Sequence, residues 1–158
     1  MTSDGFHLAQ FNVARLLAPL DDPRLAGFVT ALEGINAIAD GSPGFVWRLQ
    51  DDGGDATGFR PFGPEVIVNL SVWRGIEELF DYAYRSPHAA VLARRQGWFV
   101  PPTSPHLVLW WVPAGHRPNL AEASERLAKL ARDGPTVDAF TFKTRFAAPG
   151  ESSAASPA

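Results

Sequence analysis

The chain has 158 residues and a formal net charge of −3, and its length fits one domain of ordinary size. Its 46% of hydrophobic and 20% of charged residues exclude a disordered chain. Because no run of lysine or arginine is present, nucleic acid is not expected as a partner. The absence of cysteine excludes disulfides, thiolate metal ligands and a cysteine nucleophile.

The beginning of the chain lacks the basic and apolar regions of a signal peptide. No apolar run approaches the ~20 residues needed to span a bilayer. We therefore expect a cytoplasmic protein with no membrane partner. Five tryptophans and eleven phenylalanines are many for this length, and rigid aromatic surface suits both a core and an apolar small-molecule pocket.

The first half of the chain has the pattern of a strand, a helix and two further strands. An extended run over 7–17 predicts the first strand. Asp22 and Pro23 are typical of a helix start, and an apolar stripe at helical spacing carries this helix to Gly41. Residues 45–50 and 65–73 are strand-like. The glycine, proline and aspartate residues between them predict a loop.

A pair of helices and a buried strand are predicted next. The first helix covers about 74–84, and Ser86 with Pro87 restarts a second helix that runs from His88 to Gly97. Residues 107–112 are almost wholly apolar, which predicts a central strand that is buried on both faces.

The remaining residues predict one more helix, one more strand and a tail. Asn119 and Glu122 have the spacing of a capping box, which starts a helix that ends near Arg132. Residues 139–146 alternate as a last strand, and the composition from Ala147 onward predicts disorder.

The element order is β-α-β-β-α-β with an appended helix and strand. This order predicts an α+β domain, the ferredoxin-like split βαβ sandwich with an antiparallel sheet, over residues 7–146, and a disordered tail over 147–158. One face of such a sheet packs on the helices and the other face needs cover. Because apolar positions occur on both faces of the strands, we expect a homodimer that pairs through its sheets.

Polar side chains are predicted to share one face of the sheet. Alternation along 65–73 places Asn69, Ser71 and Trp73 together, and it places Gln10 and Asn12 on one face of the first strand. If these strands are neighbours, the patch could hold a carbonyl or hydroxyl group of a ligand. The alternative is that this face is solvated or lies in a dimer interface.

His88 is the most informative titratable residue. It falls in the first turn of its predicted helix, where the helix dipole disfavours a positive charge, and Arg95 follows on the same stripe. A neutral His88 could take a proton from an acidic carbon or a phenol, while Arg48 or Arg95 stabilises the anion. The alternative is a histidine that makes a structural hydrogen bond at a helix junction.

The histidines do not predict a metal site. His7, His88, His106 and His116 lack the spacing of metal ligands, and no cysteine is available to assist them. Haem needs a single histidine ligand, so haem held by His88 stays open as a minor alternative to a protein without a cofactor.

Five segments carry a resemblance to a known family. They are 8–15 (LAQFNVAR), 43–49 (PGFVWRL), 69–73 (NLSVW), 84–88 (YRSPH) and 109–118 (LWWVPAGHRP), and the closing segment 139–142 (AFTF) also fits. Together they resemble the bacterial domain of unknown function 3291 family, over about residues 8–146. The resemblance implies the fold of the dimeric α/β-barrel superfamily, which includes antibiotic-biosynthesis monooxygenases, polyketide cyclases and haem-degrading proteins.

The resemblance also implies an activity. In the cofactor-free monooxygenases of that superfamily, an aromatic pocket with asparagine and tryptophan groups holds a phenolic substrate whose anion reacts with oxygen directly. We therefore expect a small-molecule enzyme that oxygenates an aromatic or polyketide-like substrate without a cofactor. The alternatives are a cyclase or isomerase, a haem-binding protein, and a non-catalytic module that binds small molecules.

The site prediction has two parts. The predicted catalytic residues are His88, Arg95 and Asn69. The predicted substrate-binding residues are Asn12, Trp47, Arg48, Ser71, Trp73, Tyr84, Trp98 and Trp110.

Overall fold

A computed structural model describes residues 5–150 and contains one antiparallel sheet with the strand order β2-β3-β1-β4. The strands of these residues are β1 (Phe6–Arg15), β2 (Phe45–Arg48), β3 (Val66–Trp73) and β4 (Leu107–Pro113). Their α-helices are α1 (Ala26–Asp40), α2 (Ile76–Arg85), α3 (His88–Leu92) and α4 (Leu120–Asp133). This arrangement confirms the predicted α+β, ferredoxin-like fold.

Two of the predicted helix caps form. The side chain of Asp22 accepts a hydrogen bond from the backbone N–H of Arg24 at 2.9 Å, although the turn that it caps is a 3₁₀ turn that precedes α1. The side chain of Asn119 accepts from the backbone N–H of Glu122 at 2.8 Å. The side chain of Glu122 bonds to other partners, so only half of the capping box forms.

The two faces of the sheet pack against different parts of the chain. We call the first the α4 face: Phe11, Leu70 and Trp110 pack in one cluster with α4 residues such as Ala123, and Phe59 of the loop 51–64 packs against this cluster. We call the second the α1/α2 face, where the largest buried side chain is Trp73. One buried cluster there contains Leu8, Trp73 and Leu109 of the sheet with Ala39, Leu79 and Phe140, and a second contains Ile67 of β3 with residues such as Leu25 and Trp98.

The cover of the α4 face corrects one argument of the sequence analysis. A partner chain was expected to cover this face, but α4 and the loop 51–64 of the same chain do so. The uncovered sheet face no longer supports a homodimer. The homodimer stays a prediction, which light scattering at micromolar concentration would test.

The predicted order at the end of the sheet is wrong in two respects. β4 is an edge strand and not a central one, because β1 is its only strand partner within residues 5–150. The predicted last strand over 139–146 does not form. Only Phe140 pairs with Leu109, in two backbone hydrogen bonds of 2.8 Å each, because a turn between Thr141 and Thr144 then folds the segment back.

The predicted helix from His88 to Gly97 is also shorter than expected. α3 ends at Leu92, and Arg95–Gly97 forms a separate 3₁₀ turn. The predicted tail begins at Ala147, yet Ala148 is buried, and residues 151–158 of that tail lie outside the described residues. No helix within residues 5–150 has both the length and the apolar character needed to cross a membrane.

Candidate functional site

A cavity of about 760 Å³ lies between the α1/α2 face of the sheet and the helices α1, α2 and α3. The segment 98–107 borders it on a third side. Backbone hydrogen bonds tie this segment to β1: Val100 N–H donates to Arg15, and Val13 N–H donates to His106, both at 2.9 Å. The volume is within the range of small-molecule sites.

The floor of the cavity is polar because of the strand register. β1 and β3 are antiparallel neighbours in which Gln10 lies opposite Ser71 and Asn12 lies opposite Asn69. Directly opposed residues point to the same face of a sheet, so all four side chains meet at the α1/α2 face. All four line the cavity, which confirms the predicted convergence of Asn12, Asn69 and Ser71.

Hydrogen bonds join the floor into one network. The Gln10 amide nitrogen donates to Asn69 Oδ1 and, at 2.8 Å, to Ser71 Oγ. Asn12 Nδ2 donates to Gln10 Oε1 at 2.9 Å, and Trp73 Nε1 donates to Ser71 Oγ at 2.8 Å. Both hydrogens of the Gln10 amide nitrogen are therefore used, whereas the Asn69 amide nitrogen has no partner within residues 5–150. Gln10 was not among the predicted site residues, although its place beside Asn12 was visible in the alternation.

His88 stands on the helical side of the cavity. Its Nδ1 lies 2.9 Å from the carbonyl oxygen of Ala83. A carbonyl oxygen only accepts, so Nδ1 carries the proton and Nε2 holds the free lone pair of the neutral ring. Within residues 5–150, Nε2 has no hydrogen-bond partner. Burial lowers the pKa of His88 from its ordinary value of 6.5, and the hydrogen bond to Ala83 opposes this effect.

This result confirms the predicted direction of the His88 pKa and corrects its cause. The helix dipole and Arg95 were expected to lower this pKa. Burial has the largest effect, and Arg95 does not contribute. α3 ends before Arg95, whose side chain is exposed and donates to the carbonyl of Leu92 at 3.0 Å. Arg95 does line the cavity, but the predicted stripe that would carry both residues does not exist.

Tyr82 was missed by the sequence analysis. Its ring lies between two others, with centroid distances of 5.0 Å to Trp73 and 4.8 Å to His88. Burial raises the pKa of the Tyr82 hydroxyl, so this group stays protonated at neutral pH. Tyr82 follows Leu79 by three residues, a spacing that places both on the inner face of α2 and could have identified it. The predicted Tyr84 also borders the cavity but is 44% exposed.

Arg48 is held by an ion pair at the edge of the cavity. Its Nε donates to Asp40 Oδ1 at 2.7 Å, a second nitrogen donates to Asp40 Oδ2 at 3.2 Å, and a third donates to the carbonyl of Gly54 at 2.6 Å. A guanidinium with this many partners is less available to a substrate anion than the sequence analysis expected.

The predicted tryptophans divide between the two faces. Trp98 lines the cavity, and Trp73 lies behind the floor, where it is bound to Ser71. Trp47 and Trp110 belong to the cluster on the α4 face and do not line the cavity. Their predicted place in the pocket is therefore wrong, because alternation along β2 and β4 turns both side chains to the opposite face.

The other histidines lie outside this arrangement or at its rim. His116 Nε2 bonds to Glu122 Oε1 at 2.7 Å, and Glu122 Oε2 accepts from Trp110 Nε1 at 2.9 Å. This group ties the turn after β4 to the start of α4. In the part of the chain that the structure describes, no three His, Asp or Glu side chains form a group that could hold a metal ion.

Comparisons with known proteins give a family and several distant structural likenesses. A search of curated proteins finds no significant match. Similar solved structures include NE2512, a protein of unknown function from Nitrosomonas europaea, with 14% identity and a TM-score of 0.45, over 74% of this chain and 97% of that one. A second protein from Nitrosomonas europaea, provisionally assigned as an antibiotic biosynthesis monooxygenase, has 12% identity and a TM-score of 0.46, over 71% and 91%.

A third similar structure is SnoaB, a cofactor-independent oxygenase from Streptomyces nogalater, with 14% identity and a TM-score of 0.42, over 72% of this chain and 96% of that one. Likenesses this distant give no information on the reaction of the present chain. The family model is more specific, since it matches residues 7–156. The protein therefore belongs to the family described as domain of unknown function DUF3291.

Proposed function

We propose that this protein is a small-molecule enzyme that binds a flat aromatic or polyketide-like compound in the cavity and oxygenates it without a cofactor. The observation that carries the proposal is His88, a neutral histidine that lines a cavity whose floor carries the amide nitrogen of Asn69. Among residues 5–150, neither His88 Nε2 nor the Asn69 amide nitrogen has a hydrogen-bond partner. A base and a hydrogen-bond donor in one cavity suit the removal of a proton from a carbon next to a carbonyl group.

The reaction balances with one molecule of dioxygen. His88 Nε2 takes a proton from an activated CH₂ group, and the floor donors stabilise the enolate or aryl oxide that forms. The anion reduces dioxygen, a C–O bond forms, and the resulting hydroperoxide anion takes the proton back from His88. Loss of water then leaves a carbonyl group, so that R₂CH₂ and O₂ give R₂C=O and H₂O.

The burial of the polar groups favours a ligand site over an open surface. Gln10 and Ser71 are 3% and 5% exposed, and polar groups are costly to bury without a purpose or a full set of partners. A pocket that is mostly apolar, with a few converging polar groups and a titratable group of shifted pKa, is the usual form of an active site.

The same groups would serve a cyclase or an isomerase, which also begins with proton removal but consumes no dioxygen. Haem is a second candidate with its own observation. A histidine whose Nδ1 donates to a backbone carbonyl presents Nε2 in the manner of a metal ligand, and His88 has this arrangement. Haem would supply redox chemistry at this position, and His88 would hold it.

Anthrone tests these alternatives, because it is a flat tricyclic ketone with an acidic CH₂ group. We expect the purified protein to convert anthrone to anthraquinone with the uptake of one O₂ per molecule, without a Soret band and without added metal. Turnover of related ketones without O₂ uptake would favour the cyclase or isomerase. A Soret band in protein taken directly from cells, or one that forms with added haemin and is lost in His88→Gln, would favour haem.

A further inference from the structure

The hydroxyl group of Ser71 lies at the floor of the cavity, and its oxygen is used as an acceptor. Its oxygen accepts two hydrogen bonds, from Gln10 Nε2 and from Trp73 Nε1, each at 2.8 Å. The hydroxyl hydrogen has no acceptor within residues 5–150. Ser71 is 5% exposed and lines the cavity, so this hydrogen has only the cavity to point to.

Trp73 sets this direction. An indole N–H can only donate, so the Ser71 oxygen has to accept from it and has to turn its own hydrogen elsewhere. The indole is itself fixed, since it is 1% exposed and packs on the rings of Phe45 and Tyr82 at 5.4 Å and 5.0 Å. Trp73 does not line the cavity, and within residues 5–150 its side chain hydrogen-bonds to the cavity lining through Ser71.

Asn69 points to the same conclusion. Its Oδ1 accepts from Gln10, which leaves both hydrogens of its amide nitrogen without a partner in the described chain. Gln10 cannot donate to a ligand, because both hydrogens of its amide nitrogen are engaged. The free groups of the Ser71–Asn69 pair at the floor are therefore mainly donors.

We propose that the cavity selects compounds that place a hydrogen-bond acceptor, a carbonyl or aryl-oxide oxygen, against Ser71 and Asn69, and that Trp73 is the positioning residue that imposes this selection. The inference rests on the proposed function for the choice of this cavity as the binding site, and it adds the chemical class of the group that is bound.

Three flat tricyclic compounds of nearly equal shape provide the test. Fluorenone carries an acceptor, fluorene carries neither donor nor acceptor, and carbazole carries a donor at the same position of the ring system. Their dissociation constants are measured by quenching of tryptophan fluorescence, since Trp98 lines the cavity. We expect fluorenone to bind about tenfold more tightly than fluorene. Carbazole is compared with fluorene in His88→Phe, because its N–H could otherwise donate to Nε2 of His88, and there it should bind no more tightly than fluorene.

The variants separate the positioning role from a structural one. Ser71→Ala should remove most of the preference for fluorenone. Trp73→Phe should reduce the preference for fluorenone and improve the binding of carbazole relative to fluorene. Without the indole N–H, a turn of the Gln10 amide lets the Ser71 hydroxyl donate to Gln10, so that the Ser71 oxygen faces the cavity as an acceptor. Trp110→Phe is the matched control, since this buried indole donates to Glu122 on the α4 face, and it should leave the ratio unchanged. A loss of packing alone would weaken all three compounds equally.

Equal binding of fluorenone and fluorene by the unaltered protein would overturn the inference, and so would a preference that survives in Ser71→Ala. If Trp73→Phe fails to fold, the fluorenone preference measured in Ser71→Ala tests the inference by itself. Failure of the proposed function is a different result: fluorenone is preferred, but anthrone is not turned over. Turnover of anthrone together with equal binding of the three probes would contradict this inference alone.

Discussion

The two faces of the same sheet have opposite characters. On the α4 face, the inward residues of β3 are Val68, Leu70 and Val72, and all three are buried among apolar side chains. On the α1/α2 face, the same strand presents Asn69 and Ser71 to a cavity. Among the described residues, the buried polar side chains are Gln10 and Ser71, and both lie on this second face. One face of the sheet is therefore a close-packed apolar core, whereas the other borders the cavity in which we propose that the ligand binds.

Two buried tryptophans repeat the contrast. Trp110 on the α4 face donates its indole N–H to Glu122 and so helps to hold α4 to the sheet. Trp73 on the α1/α2 face donates to Ser71 and so directs a hydroxyl group into the cavity. The same residue type therefore stabilises a helix contact on one face and orients a polar group on the other.

The largest effect is expected on the cavity side, at His88. We predict that His88→Gln lowers the rate of anthrone oxidation by at least about a hundredfold, because the variant has no base in this place. Circular dichroism should show a folded protein. His116→Gln is the matched control, since His116 bonds to Glu122 on the opposite face, and its rate should match that of the unaltered protein. Equal rates for both variants would remove the catalytic role of His88.

The second prediction compares two adjacent residues that point to opposite faces. Leu70 is fully buried on the α4 face, and Leu70→Ala should lower the free energy of unfolding by about 2–5 kcal/mol, with little change in fluorenone binding.

Asn69→Ala should give the reverse pattern, with a smaller loss of stability and weaker binding of fluorenone. Urea denaturation and fluorescence titration measure the two effects. If both substitutions changed stability and binding in the same proportion, the two faces would not be functionally distinct.

The third prediction concerns pH. Because burial lowers the pKa of His88 below 6.5, the unfolded chain takes up a proton below about pH 6.5 while the folded chain stays neutral at this position. The free energy of unfolding should therefore fall as the pH falls from about 6.5 toward the folded-state pKa. The fall should be smaller in His88→Gln, which urea denaturation at a series of pH values would reveal. An identical pH dependence of the two proteins would show that burial does not shift this histidine.

The smallest effect is expected for an aromatic residue that the sequence analysis placed in the pocket. Trp47 packs on the α4 face near the guanidinium of Arg117, at 5.9 Å from its ring. Trp47→Phe should leave the dissociation constant of fluorenone unchanged, whereas Trp98→Phe at the cavity wall should weaken binding severalfold. A stronger effect at Trp47 would place the ligand on the other face.

Alternation along the strands predicted the polar floor correctly, because a period of two residues decides which side chains share a face. It could not predict the cover of the α4 face, since that depends on where α4 docks after a long excursion of the chain. The apolar spacing of Phe140 and Phe142 suggested a strand, but the turn at Thr141 and Thr144 uses backbone and side-chain hydrogen bonds that hydrophobic periodicity does not reveal. The spacing from Leu79 could have placed Tyr82 on the inner face of α2, but its contacts with Trp73 and His88 depend on how α2, α3 and the sheet pack together, which no local pattern contains.

The proposed catalytic role requires that His88 is a neutral base with its lone pair at Nε2, so the decisive measurement is the protonation state of this ring. Long-range ¹H–¹⁵N correlation spectra, assigned with His88→Gln, report which ring nitrogen carries the proton and how the ring titrates. We predict that the ring is neutral at pH 7 and carries its proton at Nδ1, which bonds to Ala83, and that its pKa lies below 6.5. A ring that is protonated at Nε2, or one that titrates at or above 6.5, would contradict it.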